Sequence, residues 1–480
     1  AIGYQALSSQ TGTTGEVGNT AIGYQAADAL TTGERSVFIG AHAGGAITTG
    51  AYNVAIGYGA MRYPTGLTGN VAIGWNALTA MSGSAGSKYN TAVGYGAGDS
   101  VTTADSLTLV GAQVGSAITT GNDNTAVGYL ALNQLETSAS NTALGHMAGY
   151  HTMGNSNTYI GEGAGYSGAS ADHGSRNVAV GRGSMYYGDN INNSVAMGYF
   201  SLQHGDANTS STVALGYFAG SYATGSYNTF VGSYAGKGGT TSAPYSSGQY
   251  NVAMGYQALE EFTTANYNTA IGHQAGEAIS TGTGNTFLGF RAGITATTAE
   301  YSVGIGYGAL GDATLTGNYN IGIGLNAGMD VTSGANNIIL GYNAGDAMTG
   351  TSNTVLIGSS AGGAINSTDA NGTVAIGYYA GASITEGARQ TFIGYQAGYS
   401  TTTGDENVFI GYQAGYGNID NPANIYIGKQ AAYNIGDGSY NVAIGEEAMK
   451  STGTAANNHA NYNVAVGNQA GYNLTTGDYN

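Results

Sequence analysis

Short bursts of alternating side chains, each ending at a glycine, recur along the whole chain. Asn53-Val54-Ala55-Ile56-Gly57 and Asn441-Val442-Ala443-Ile444-Gly445 are two copies of one pattern. With that glycine as an anchor there are 27 copies, from Gly3 to Gly467, and 16 of the 26 spacings are 17 residues. A short fixed period marks a stack of equivalent units. The three residues before the anchor carry the strand signal. The first of them is β-branched in every copy, and the last is always Ile, Val, Leu or Met. Period-two alternation in such residues predicts a strand of about five residues. A helix is excluded, because Gly and β-branched residues would fill its interior.

The remainder of the unit reads as corners. Three residues after the anchor stands Ala in 24 of 27 copies, often followed by Gly, which predicts a tight bend. Aliphatics such as Ile47, Ile118, Ile279, Ile365 and Ile384 predict a second, shorter strand. Thr-Thr-Gly, ending at Gly50 and Gly404, predicts a turn that uses positive φ. Two short strands and two turns in 17 residues predict an all-β fold, a parallel β-solenoid (β-roll) of about 27 coils. Coils stacked about 4.8 Å apart would make a rod on the order of 130 Å long. The lead-in residue before each strand is Asn in 18 of 26 copies, which predicts a side-chain ladder at one turn. Pro64, Pro244 and Pro422 fall in the connecting stretch, where a missing N–H is tolerable. Residues 1–480 read as one continuous repeat array, uncapped at both ends and expected to continue into more protein or another subunit.

The middle strand residue decides whether the coils need a partner. The first and last strand residues are expected to face the core and the middle one to face outward. Water would favour polar residues there, yet the middle residue is Ala in 15 of 27 copies and never charged. Phe38, Phe230, Phe287, Phe392 and Phe409 stand among the exceptions. Strands apolar on both faces are normally covered on both. The expectation is a homo-oligomer, most plausibly a trimer, with those five Phe as its seam.

Composition narrows the function. The chain has 85 Gly, 8% charged residues and 42% hydrophobic residues, too apolar for a disordered low-complexity chain. With no Cys there is no disulfide, thiolate ligand or cysteine nucleophile. No apolar run is long enough for a spanning helix, so no membrane insertion is expected in this segment. A net charge of −17 is a poor match for nucleic acid. No catalytic, metal or cofactor constellation stands out, and the chain is not expected to be an enzyme. Sequons at Asn192, Asn208, Asn366, Asn371 and Asn473 matter only in a host that glycosylates.

The residue after the anchor supplies the candidate contact surface. It is Tyr in 13 copies, with Trp75 and Phe290 added. Tyr58, Trp75, Tyr378, Tyr395 and Tyr412 are expected either to hold sugar rings or to seal the edge of a thin core. His146, Glu162 and Arg182 replace Tyr in three consecutive coils, as Lys429 and Glu446 do later, which predicts surface ion pairs worth under about 1 kcal/mol each. Thr31-Thr32, Thr48-Thr49, Thr119-Thr120 and Thr402-Thr403 suggest a threonine array, the feature an ice-binding solenoid would need.

Asn193-Ser194-Val195-Ala196-Met197-Gly198 resembles the head repeats of YadA-like trimeric autotransporter adhesins. The fuller string from Asn407 to Gly415 is similar to repeats of phage-type tail fibres. The resemblance spans the chain, although the adhesin unit is the shorter. It implies a trimeric β-roll that binds host surfaces. The functional expectation is a structural extracellular fibre, an adhesin shaft or head on a cell or virion surface that mediates attachment. Its partners would be copies of itself and a cell-surface glycan or host receptor. The alternative is a self-assembling filament or matrix protein, joined end to end or laterally. A lesser alternative is an ice- or glycan-binding solenoid.

Overall fold

Every anchor glycine has a reason to be glycine. Gly40 and Gly57 adopt φ of +130° and +129°, a region that side chains disfavour. A Cβ on Gly40 would also lie 2.5 Å from the carbonyl oxygen of Gly57, the anchor of the next coil. The anchors therefore stack backbone on backbone, and the strands before them are brought into register.

The structure is a computed structural model that describes residues 1–11, 17–82, 86–167, 174–206, 209–240, 242–453, 459–474 and 476–480. It comprises two units, Ala1–Tyr234 and Ala235–Asn480. Among the described residues, each unit carries thirteen three-residue strands that precede an anchor. In the first unit these run from Thr20–Ile22 to Thr229–Val231, and neighbours pair in parallel with every column aligned. In the second they run from Val252–Met254 to Val464–Val466 under the same rule. The fold is the expected all-β parallel β-solenoid with a repeat of about 17 residues. One short 3₁₀ turn, Thr368–Ala370, interrupts it.

The faces are the reverse of the expectation. The middle column lies inside: Ala21, Ala55, Phe38, Phe230, Phe287, Phe392 and Phe409 are all 0% exposed. The first and last columns point out, so strand after strand has a buried centre and accessible flanks. The five Phe are core residues and not a surface seam. The physical reason is the thinness of a 17-residue coil. Two bulky aliphatics per strand cannot enter a lumen one side chain deep, whereas a single Ala or ring can.

Volume is shared across that lumen. In the first unit Phe38 faces Gly44, where a Cβ would lie 2.3 Å from its ring, and Tyr159 faces Gly165 at the same distance. In the second, Phe287, Phe392 and Phe409 face Gly293, Gly398 and Gly415, with Cβ-to-ring distances of 2.5–2.6 Å. Where the strand offers Ala, either the facing residue grows, as in Ala55 with Met61, Ala72 with Leu78 and Ala253 with Leu259, or it is Gly. In the latter case the next coil's large side chain fills the space, as Leu109 does over Gly98 and Phe230 over Gly220. Small opposite large keeps the interior at native density.

Among the described residues the second expected strand does not form at the aliphatic position. Short second strands pair only at Leu67–Thr68 with Gly86–Ser87 and at His459–Asn461 with Thr476–Asp478. Ile47, Ile118, Ile279, Ile365 and Ile384 are buried as expected, but they sit on a wall of consecutive turns. Positive φ at Gln257, Leu259 and Tyr267 shows why one coil cannot extend there. Backbone bonds still link coil to coil, as in Ala46 N to Arg62 O (2.9 Å) and Thr48 N to Thr65 O (2.7 Å). The first threonine of Thr-Thr-Gly joins this system, since the Thr48 hydroxyl donates to Thr65 O (2.9 Å) and that of Thr119 to Glu136 O (3.0 Å).

The lead-in asparagines form the expected ladder, buried and more fully bonded than side chain to side chain alone. Asn268 Oδ1 accepts the backbone N–H of Asn285 (2.9 Å) and its Nδ2 (3.0 Å), while Asn268 Nδ2 donates to Gly282 O (2.9 Å). Asn268→Ala strands two buried backbone groups, which should destabilise the surrounding coils by about 2–4 kcal/mol. Hydrogen exchange should show protection lost around Asn285 and kept in distant coils, because each coil is held only by its neighbours. A uniform loss across the second unit would contradict that locality.

Candidate functional site

The surface is organised by the columns that the strands project. Across each strand the outward row reads: a positive-φ residue before the lead-in position, the first strand residue, the last strand residue, and the residue after the anchor. Charged and aromatic groups occur only at the outer two positions.

Between them lies an uncharged sheet face, with Thr in ten of the 26 first positions and aliphatic side chains elsewhere. In the first unit Ile22 is 39% exposed, Leu144 48% and Met197 44%; in the second Met254 is 41%, Leu288 44% and Ile425 38%. Every first residue is Thr, Val or Ile, every last residue is Ile, Val, Leu or Met, and no charge interrupts either column. The uncharged stripe inferred from the sequence exists, but on these two columns and not on the middle one.

The aromatic stripe beside it stacks as its spacing requires. Tyr58 and Trp75 lie 6.4 Å apart, and Trp75 and Tyr95 4.7 Å apart at 7°. In the second unit Tyr378, Tyr395 and Tyr412 follow at 5.3 and 5.2 Å. These five candidates stand between 42% and 46% exposed, with one ring face on a neighbour and their edges in water. A second ladder on the opposite rim was missed. Tyr250 and Tyr267 stack at 5.0 Å and 5°, and Tyr440, Tyr462 and Tyr479 at 5.0 and 4.9 Å. The signal was available as Tyr one place before the lead-in Asn, as in Tyr250-Asn251 and Tyr440-Asn441.

Ion pairs occur where expected. Arg182 meets Glu162 at 3.2 Å and Lys429 meets Glu446 at 2.8 Å, with each partner about half exposed. Hydrogen bonding to Glu446, then its charge, raises the Lys429 pKa. The interior holds few ionisable groups. Burial, opposed by the Asn441 and Asn418 side chains, pushes the Tyr426 phenol far above its ordinary range.

Where His146, Glu162 and Arg182 interrupt the tyrosine column, the first unit has a groove of about 260 Å³. Beside Glu162 and Arg182 the next residues are Gly163 and Gly183, where most other coils carry a side chain such as Gln, Asn or Phe. The ring of Tyr186 takes the space over Gly163, where a Cβ would lie 2.8 Å from Cε2, and Phe200 covers Gly183 likewise at 2.2 Å. Tyr166 stacks on Tyr186 at 4.7 Å and completes the aromatic wall. Burial, then the Tyr166, Tyr187 and Glu162 groups, raises the Tyr186 pKa. A polar recess in the second unit is lined by Lys237, Glu260 and Glu261 together with Gly238, Gly239 and Thr263. Among the described residues no three His, Asp or Glu side chains converge on one point, and no helix is long and apolar enough to cross a membrane. Of the sequons, Asn366, Asn371 and Asn473 are exposed, Asn192 is half-buried, and Asn208 lies outside the described residues.

The fold and its surfaces define a β-solenoid repeat protein. Compared with models of known protein families and with curated proteins, the chain matches none.

Proposed function

We propose that the chain is a structural repeat protein of a surface-attachment fibre, and that copies of it assemble through the outward face of the parallel sheet. One observation carries the reading: two uncharged columns of β-branched and aliphatic side chains that face outward and are at least partly exposed on thirteen strands of each unit. Parallel sheets are ordinarily covered on both faces. Monomers seldom leave contiguous apolar patches beyond a few hundred Å² in water. In each unit the face runs over thirteen strands with two outward side chains apiece, a continuous surface of the kind that standard interfaces bury at roughly 800 Å² per partner. Its rims are Tyr, Arg and Glu, including Arg389 paired with Glu406 at 2.9 Å, the apolar centre and polar margin typical of interfaces.

The occupant is a second copy of the same face, because in-register columns present the same period to each other. A trimer is the expected assembly, and attachment to a host or cell surface is the function that such an assembly would serve. Light scattering on the native chain tests this. Three times the 48.0 kDa chain mass supports the trimeric fibre. A ladder of rising masses moves the assignment to a filament or matrix protein, and a stable monomer overturns the assembly reading.

A further inference from the structure

We propose that the groove between Glu162 and Tyr186 binds a neutral saccharide ring. The inference deepens the attachment reading by naming a ligand class, but it does not depend on self-assembly. Three features of the groove converge. Its wall is aromatic, with Tyr166, Tyr186 and Phe200 contributing rings, and Tyr186 crosses Phe200 edge-on at 6.2 Å and 88°. Such faces suit the apolar C–H face of a pyranose. Its opposite side is polar and planar. Glu162 accepts from Arg182 Nε, which leaves the carboxylate and guanidinium edges, each 56% exposed, able to accept from and donate to paired ring hydroxyls.

Charge decides the ligand class. The carboxylate and guanidinium cancel, and the chain as a whole carries −17, which disfavours phosphorylated or otherwise anionic ligands. A cation would lack the convergent carboxylates it needs. A neutral ring rich in hydroxyls has the amphipathic shape that remains, and the volume of about 260 Å³ holds one such ring.

The groove is built and not incidental. It needs glycine beside both charged residues, because the Tyr186 and Phe200 rings that wall it lie where a Cβ would stand. The later interruption of the same column shows the contrast: Lys429 and Glu446 are followed by Gln430 and Glu447, whose side chains bond to Gln413 and Gln469 instead. Arg182 is further braced, with its guanidinium carbon 5.8 Å over the Tyr199 ring.

Saturation-transfer NMR on the full chain tests the proposal. The probes are methyl glucoside, methyl mannoside, methyl galactoside, N-acetylglucosamine and their disaccharides, with inorganic phosphate as the charged control. At least one sugar should bind and phosphate should not. Tyr186→Ala and Glu162→Gln should each weaken that binding by about tenfold or more. Tyr63→Ala, at an exposed aromatic outside the groove, should leave it unchanged. Binding should persist in a variant that no longer self-assembles, so this result and the assembly result fail separately. The proposal is overturned if no sugar in the panel binds. It is equally overturned if both groove variants bind like the native chain, or if only the assembled form binds, which would place the sugar between copies.

Discussion

Replacing Ile323 and Ile338 together by lysine should dissolve the assembly while leaving the coils intact. Both side chains sit on the outward face of adjacent strands, each 38% exposed. Two like charges would be desolvated against an apolar partner, at a cost that grows with burial. Self-association should weaken at least about 100-fold, or roughly 2.7 kcal/mol. Light scattering would then report single chains, and the circular dichroism of the strands should be unchanged. An unaltered mass would show that copies meet elsewhere.

The second large effect lies inside. Phe409 stacks between Phe392 and Tyr426 at 4.8 and 4.7 Å and is wholly buried. Phe409→Ala should destabilise the second unit by about 3–5 kcal/mol through the cavity it leaves. Gly415→Leu alone should also destabilise it, by up to about 3 kcal/mol, because its Cβ would meet the Phe409 ring at 2.5 Å. The double variant recreates the pairing of Ala72 with Leu78 and should recover about 2–3 kcal/mol of the summed loss. Leucine is tolerated at that φ, as Leu78 at +50° and Leu259 at +52° show. A denaturant-unfolding cycle measures the coupling, and simple additivity would refute the shared-volume account of the core.

That shared volume is also what the sequence held unread. Spacing alone placed the strands, the Asn ladder and the stacking of Tyr378, Tyr395 and Tyr412, because a 17-residue period fixes which residues are neighbours. Alternation, however, is symmetric. Val54-Ala55-Ile56 says that two faces exist without saying which is inside. The usual preference for burying the larger residues then points the wrong way in a lumen this thin. The discriminating signal was the pairing of Phe38 with Gly44 and of Phe287 with Gly293, against Ala55 with Met61. The groove was illegible for a related reason. It needs Gly163 and Gly183 to be absent side chains and Tyr186 to lean across, a conjunction of separate columns that no single column reveals.

The left-handed backbone at Gln257, Leu259 and Tyr267 has a consequence for how the chain reaches this state. Each such residue costs about 1 kcal/mol or more in isolation, and a solitary coil has no neighbour to accept its N–H groups. The first coil is therefore uphill, while every later one forms against a finished template. Such a chain grows as a zipper: rare initiation, then rapid elongation, with the order of events set by where initiation occurs and not by the order of the residues.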